Sequence, residues 1–501
     1  MRARRASALT LIPVLVFVTL LAWAFASPIG AAPDDDYHLA SAWCVGALAE
    51  ETCAPAAGHE DSREISREVA EIACFAGDPH RSAACQDAIF DGDLTDDTVT
   101  SSRGNFTGLY PPLYYAAMSV FTSGDVQLSA LLMRVVTTVL FVGILTALYL
   151  LLPTERRPTL VVGWVVTTVP LGVFLLASNN PSAWATIGVG MGWLALLGYF
   201  ETVGRRRVAL GALYALGVLM AVGSRDDAAV YVGLTTILVL VYAFRRHRKF
   251  LRDAALPLAL GVVVPAVVFL VRLSQREPVG FPGGTGAADS AAEGPPLSAF
   301  GSLANNVLNV PLIWAGTLGE WGLGWLDTAM PGIVTLPAVM AFVMAGFLGI
   351  SRVGRRKAIM VIAVVLVLWL VPVLVLYQAG DLVGETLQPR HLLPLIVVLG
   401  GLLALDAPAT RWRRGQLLVV VAPLTMAHSV ALYINLRRYL TGIDAGGLNL
   451  DVDVEWWWNA PFSPMFVWIV GTTAYAALLV LIVTRILAPA DSRTLISHGV
   501  S

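Results

Sequence analysis

Charge is scarce in this chain. Only 14% of its 501 residues are Asp, Glu, Lys or Arg, against about 25% in an ordinary soluble domain. Hydrophobic residues make up 56%. A water-soluble globular protein of this composition would expose large apolar surfaces, so that class is excluded. Cysteine is scarce too. The four residues, Cys44, Cys53, Cys74 and Cys85, contain no CxxC pair, which argues against a zinc site. No Walker, HExxH or GxSxG stretch occurs, and the glycine-rich run after residue 279 fits no phosphate fingerprint. A soluble nucleotide is therefore not expected as the energy source. The formal net charge of −2 points to no charged partner, and no nucleic-acid partner is expected.

What is present is a series of apolar runs of roughly 16 to 25 residues, long enough for helices that cross a bilayer. Twelve spans are expected, at about 8–27, 131–152, 159–177, 183–202, 208–223, 228–244, 254–273, 332–350, 359–377, 392–406, 415–434 and 464–484. The fold class is an all-α integral membrane protein, a single polytopic domain over 1–501. Basic stretches such as "TERRP", "GRRR", "FRRHRKFLRD" and "TRWRRG" separate alternate spans. Placing them with both termini in the cytoplasm puts 22 of the 33 Lys and Arg inside and 30 of the 35 Asp and Glu outside. The Lys/Arg bias sets the orientation. Residues 8–27 read either as the first span or as a cleaved signal peptide; both leave the next segment outside.

Four external loops follow, at 28–130, 274–331, 378–391 and 435–463. The first holds all four cysteines. Disulfides persist outside the cytosol, so two bridges are expected, with three pairings open. "YPPLYYAAMSVF" (110–121) is too short to span and reads as a helix lying on the membrane. The glycine-, alanine- and proline-rich part of the second loop reads as mobile. The helical spacing after it suggests a surface helix. Trp456, Trp457 and Trp458 read as interfacial anchors, with stacking on a sugar or lipid as the alternative.

Candidate chemistry gathers just beyond the first span, in "PDDDYH". Asp34 and Asp35 are crowded carboxylates at a boundary between water and lipid. Mutual repulsion and partial burial both raise a carboxyl pKa toward the range useful for a base. The bland alternative is a solvated start to an external loop. His38 lies four residues after Asp34, on the same helical face. It can orient Asp34 or share a divalent metal ion with it, although two ligands do not make a site. Arg390, after Gln388 and before His391, sits at the mouth of a span. Its fork of donors suits a phosphate, against the alternative of an ordinary snorkelling arginine. Arg134 and Arg225 are similar but weaker candidates, and Arg225 has Asp226 and Asp227 beside it for a local ion pair. "SNNPS" (178–182) reads as a tight turn.

Taken in order, "PDDDYH", "YPPLYY", "NNPSAW", "GWLDTAMP" and "QPRHLLPL" resemble the blocks of a bacterial family of polytopic proteins, the domain of unknown function 2142. The resemblance runs from about residue 8 to 440. The chain departs from the pattern at Asp35, where the family usually has Glu, and at His391, where it more often has Tyr. The family in turn resembles membrane-embedded glycosyltransferases of the GT-C type. In those, an acid in the first external loop works beside a lipid-phosphate sugar donor.

The resemblance implies a GT-C-like enzyme of the bacterial cytoplasmic membrane with its active face external. A polyprenyl-phosphate sugar would be the donor, and an envelope glycan or lipid hydroxyl the acceptor. Asp34 or Asp35 would be the base, Arg390 with Arg134 or Arg225 the phosphate ligands, and His38, Gln388 and His391 accessory. Two other classes stay open: a polytopic transporter of an envelope precursor, and a non-catalytic envelope assembly protein.

Overall fold

The computed structural model describes residues 2–59, 61–90, 97–274, 298–350, 353–406 and 414–487, with the backbone alone at 2–9, 273 and 414–419. The chain enters through α1 (Arg2–Ala26) and then builds the first loop. That loop contains α2 (Asp35–Trp43), α3 (Ala49–Thr52), β1 (Cys53–Pro55), β2 (Arg63–Ser66), α4 (Arg67–Ala70), α5 (Asp87–Phe90), β3 (Thr98–Ser101) and α6 (Leu113–Met118). The three strands form an antiparallel sheet in the order β1-β2-β3. The all-α expectation is corrected here: the fold is a helical bundle carrying a small sheet. Each strand has three or four residues, too few to show an alternation pattern. The disulfides join Cys44 to Cys53 and Cys74 to Cys85, so each closes a short local loop.

The remaining helices are α7 (Val126–Leu151), α8 (Arg157–Val165), α9 (Leu171–Leu176), α10 (Pro181–Glu201), α11 (Gly204–Val222), α12 (Asp226–Ala243), α13 (Arg248–Leu258), α14 (Val264–Ser274), α15 (Ala299–Thr317), α16 (Gly332–Ile350), α17 (Arg355–Ala379), α18 (Pro389–Ala404), α19 (Arg414–Leu440) and α20 (Pro464–Ile482). A π-helical turn, Ala259–Val263, joins α13 to α14. Helix occupies each of the twelve apolar stretches. Among the described residues, seven helices are long and apolar enough to cross a membrane. Two shorter apolar segments, Thr10–Ala26 and Pro389–Ala404, accompany them.

The third stretch is not one helix. It breaks into α8 and α9 around residues 166–170. Pro170 has no N–H to donate and disfavours helical backbone at Val169. Hydropathy does not register the break, because residues 166–178 are buried and the run stays largely apolar. The predicted surface helix of the second loop is α15, which packs on α17 through the Trp314 indole bond to Leu368 O at 3.0 Å. The glycine-rich part of that loop, residues 280–296, lies outside the described residues, as does most of "TRWRRG". Trp456 and Trp458 are buried in the protein rather than anchored at an interface. The Trp458 indole donates to Phe25 O at 2.8 Å.

α10 forms the centre of the bundle, with Pro181 through Gly198 buried. Its start is set locally: Asn180 Oδ1 accepts from Ser182 N, and Pro181 takes the first turn, where no N–H is needed. α8 and α18 touch backbone to backbone, the close approach that small residues permit between membrane helices. A Cβ on Gly163 would lie 2.9 Å from Gly401 Cα. Overpacking of this kind costs about 1–3 kcal/mol. Gly163→Leu is therefore expected to lower the thermal midpoint of the purified protein. Gly192→Ala, at a buried position with nothing within 4 Å of the added Cβ, should leave it unchanged. Equal midpoints for the two variants would contradict this packing.

Candidate active site

The chain leaves α1 through Ser27–Pro33 and turns at once into α2. Asp34 caps that helix from left-handed backbone, φ 64°, a conformation Asp tolerates at some cost. Its neighbours hold it there. Arg390, in the first turn of α18, donates through Nη2 to Asp34 Oδ2 and through Nη1 to Pro33 O. Asn180 Nδ2 donates to the same carbonyl at 2.8 Å. Arg103 Nη2 donates to Asp34 Oδ1 at 3.0 Å and to Asp36 Oδ1 at 2.8 Å. A cation at a helix N-terminus works against the helix dipole. The carboxylate, not α18, fixes the place of Arg390.

The two adjacent acids sit in opposite environments. Burial alone would raise Asp34. The Arg390 guanidinium, reinforced by Arg103, overrules burial and holds the carboxyl well below the usual range. Asp35 is completely enclosed. Burial pushes it up to about 7, with Arg134 at 4.0 Å opposing only in part. Asp35 Oδ2 accepts from Ala32 N at 3.3 Å, and Oδ1 has no partner among the described residues.

His38 is ringed by Tyr37, Tyr110 and Tyr115. Its Nδ1 pairs with the Tyr115 hydroxyl at 3.0 Å, and its Nε2 has no partner among the described residues. Burial, against the pull of Asp34, holds its pKa well below the usual value, so the ring is neutral. A metal shared by Asp34 and His38 finds no support in this geometry. Both Asp34 oxygens are held by guanidinium groups. Among the described residues no three His, Cys, Asp or Glu side chains cluster to hold an ion.

The other arginines separate by role. Arg134 gives hydrogen bonds to the carbonyls of Ala24, Ser27 and Pro28 at 2.7–2.8 Å and to Asn179 Oδ1 at 3.1 Å. It is spent on fixing the exit of α1 and is not available to a phosphate, contrary to the sequence expectation. Arg225 is likewise committed, to both Asp227 oxygens at 2.9 Å and to Ser182 Oγ at 3.1 Å. This is the local ion pair that sequence left as its alternative. Gln388 stands just before α18 without capping it through its side chain, and its Oε1 is buried without a partner among the described residues. His391 is buried beside Arg390. Arg103, Asn179 and Asn180 were not anticipated. "SNNPS" is a turn, but Asn180 also ties Pro33 to the start of α10, and Asn179 accepts from Arg134 of α7.

The cluster is closed. Asp34 is 6% exposed and Arg390 2%, while the Arg103 side chain keeps 31%. An apolar groove of about 470 Å³ runs between α1, α7, α8 and α20, past Phe141, Trp164 and Tyr475.

Asp35 gives a pH signature. Between about pH 4 and 7 the unfolded chain has released this proton while the folded protein keeps it. Its contribution to stability therefore falls as pH rises through that window and levels off above it. Asp35→Asn should remove the dependence. Its thermal midpoint relative to wild type is expected to rise between pH 5 and pH 8. No change in that difference over the same range would show that Asp35 is held ionised.

Comparison with known proteins places these residues in one family. No curated protein matches the chain. The family model described as "Predicted membrane protein (DUF2142)" matches residues 17–399, a stretch that includes Asp34, Asp35, Arg103 and Arg390. The chain is a membrane protein that belongs to the DUF2142 family.

Proposed function

We propose that this protein is a membrane glycosyltransferase of GT-C type, with twelve crossings and the Asp34 face outside the bacterial cytoplasmic membrane. It moves a sugar from a polyprenyl-phosphate donor to a hydroxyl of an envelope glycan or lipid. One observation carries the reading: a buried carboxylate held between two guanidinium groups at one end of the bundle, one of them half-exposed. Arg103 is the group a phosphate reaches first. A donor phosphate that draws Arg103 and Arg390 toward itself loosens their hold on Asp34, whose pKa then rises toward that of a working base. The acceptor oxygen attacks the anomeric carbon and its proton passes to Asp34. The bond from that carbon to the phosphate oxygen breaks. The polyprenyl phosphate leaves with its new charge against Arg390 and Arg103, and a single displacement inverts the sugar. Asp35, its pKa raised to about 7 by burial, carries less negative charge near neutral pH than an ordinary carboxylate beside the incoming phosphate. The groove lined by Phe141, Trp164 and Tyr475 offers the donor's hydrocarbon a seat. The resemblance to GT-C enzymes in the placement of a first-loop acid supports the same reading.

A transporter is favoured by one feature, the break between α8 and α9, since interrupted helices frame many transport sites. Solute flux into vesicles of the purified protein would select that reading.

The test is the envelope glycan of a strain lacking the gene, complemented with wild type, Asp34→Asn, Asp35→Asn, Arg390→Ala and Arg103→Ala at equal protein levels. One sugar linkage is expected to vanish and to return with wild type. Asp34→Asn should restore it at least about 100-fold less well, the usual cost of losing a general base. Full restoration by Asp34→Asn would refute this chemistry and leave an assembly role or transport.

A further inference from the structure

The helices that build the acidic cluster carry a second feature at their other ends. α10, α12 and α18 begin beside Asn180, Arg225 and Arg390, and end at Glu201, Ala243 and Ala404. The 21 residues of α10 cover about 30 Å at 1.5 Å per residue, which is the thickness of a bilayer's hydrocarbon core. At this far end lies a cavity of about 740 Å³. Seven lysine and arginine side chains line it against three carboxylates.

The three carboxylates are already engaged. Glu201 and Asp406 hold Arg156, and Asp253 holds Arg207 at 3.0 Å. Lys357 rests on the carbonyls of Gly349 and Leu403 at 3.0 Å. Arg245 and Arg355 have no side-chain hydrogen bond or ion pair among the described residues. The cavity therefore keeps a surplus of positive charge.

The backbone adds to the same field. α11, α13 and α17 all begin at the cavity, and none has an acid in its first turn. Val203 and Gly354 provide no side-chain cap. Helix N-termini favour anions and are destabilised by cations, yet each of these first turns is rich in Arg or Lys. The positive-inside bias explains basic residues at such ends. It does not require three helix starts without an acid to converge on one concavity, of which α13 alone has a side-chain cap, His247 Nδ1 accepting from Lys249 N at 3.1 Å. Such a combination is a ready anion site.

We propose that this cavity binds a phosphate-bearing anion, held by Arg245, Arg355 and Lys249 over the first turns of α13 and α17. Arginine forks suit phosphate oxygens in pairs. The phosphate can belong to a lipid headgroup of that leaflet or to a soluble compound. The site does not depend on the glycosyl-transfer reading, being about 30 Å from Asp34 by the length of α10.

The experiment uses full-length protein in nanodiscs of phosphatidylcholine. Inorganic pyrophosphate is titrated calorimetrically, and the thermal midpoint is compared with that in discs containing phosphatidylglycerol. Arg245→Gln/Arg355→Gln is set against Arg205→Gln/Arg248→Gln, which removes two charges at the same end but outside the cavity lining. Both pairs are surface positions, and a native midpoint in phosphatidylcholine establishes that each variant is folded. For a soluble ligand, wild type binds pyrophosphate, the cavity pair weakens it by at least about tenfold and the control pair by less than about twofold. For a lipid ligand, only phosphatidylglycerol raises the midpoint, and the cavity pair alone loses that rise. No response from wild type to either, or equal losses in both pairs, overturns the proposal.

Discussion

The ion pair between Asp34 and Arg390 is the contact on which the candidate site depends. It joins the first residues after α1 to the first turn of α18, 356 positions later. Both side chains are buried. Removing one partner of such a pair leaves an uncompensated charge inside the protein, at a cost of about 3–5 kcal/mol. The same guanidinium binds Pro33 O, so it fixes the backbone as well as the carboxylate. Arg134 does the equivalent for residues 24–28 from α7. Two arginines thus stitch the turn between α1 and α2 into the bundle, and the left-handed backbone of Asp34 is held by that stitching.

This arrangement divides the labour between two adjacent carboxylates. Asp34 faces two guanidinium groups and stays ionised. Asp35, one residue on, points into a closed pocket with Arg134 too far to compensate its burial, and its pKa rises to about 7. Neighbouring acids pushed apart in this way are a common mark of acid–base chemistry. Burial among Tyr37, Tyr110 and Tyr115 holds the pKa of His38 well below its usual value. The site is closed, and Arg103, on the loop between β3 and α6, is its most exposed arginine, held by Asp34 and Asp36.

Much of the helical frame was legible in the sequence, because apolar runs of span length report helices directly. Segregation of the four cysteines to one loop anticipated two bridges; the pairing needed coordinates, since spacing does not choose among three. Asp34, Asp35 and Arg390 were visible through their unusual place at span ends, where charge is costly. Arg103 was not, because nothing distinguishes "SSRGNF" from an ordinary polar loop until the strands bring it over "DDD". Arg134 and Arg225 stood out as charges at span ends, but sequence has no means of showing that backbone carbonyls or a near neighbour already occupy them. The break before Pro170 was hidden by apolarity. Trp456 and Trp458 misled for a related reason, since an interfacial belt and a packed corner have the same composition.

The bundle presents opposite electrostatics at its two ends, linked by α10, α12 and α18. One end holds carboxylates between arginines; the other holds arginines in excess of carboxylates. Of these features, the buried pair at Asp34 is the claim the rest stands on. A double-mutant cycle measures it most directly, using the unfolding free energies of wild type, Asp34→Asn, Arg390→Gln and the combined variant in one detergent. The combined variant is expected to be far less damaged than the sum of the single variants, with a coupling of about 2 kcal/mol or more. Additivity to within about 0.5 kcal/mol would mean that the two residues do not rely on each other and that no such buried pair holds the site together.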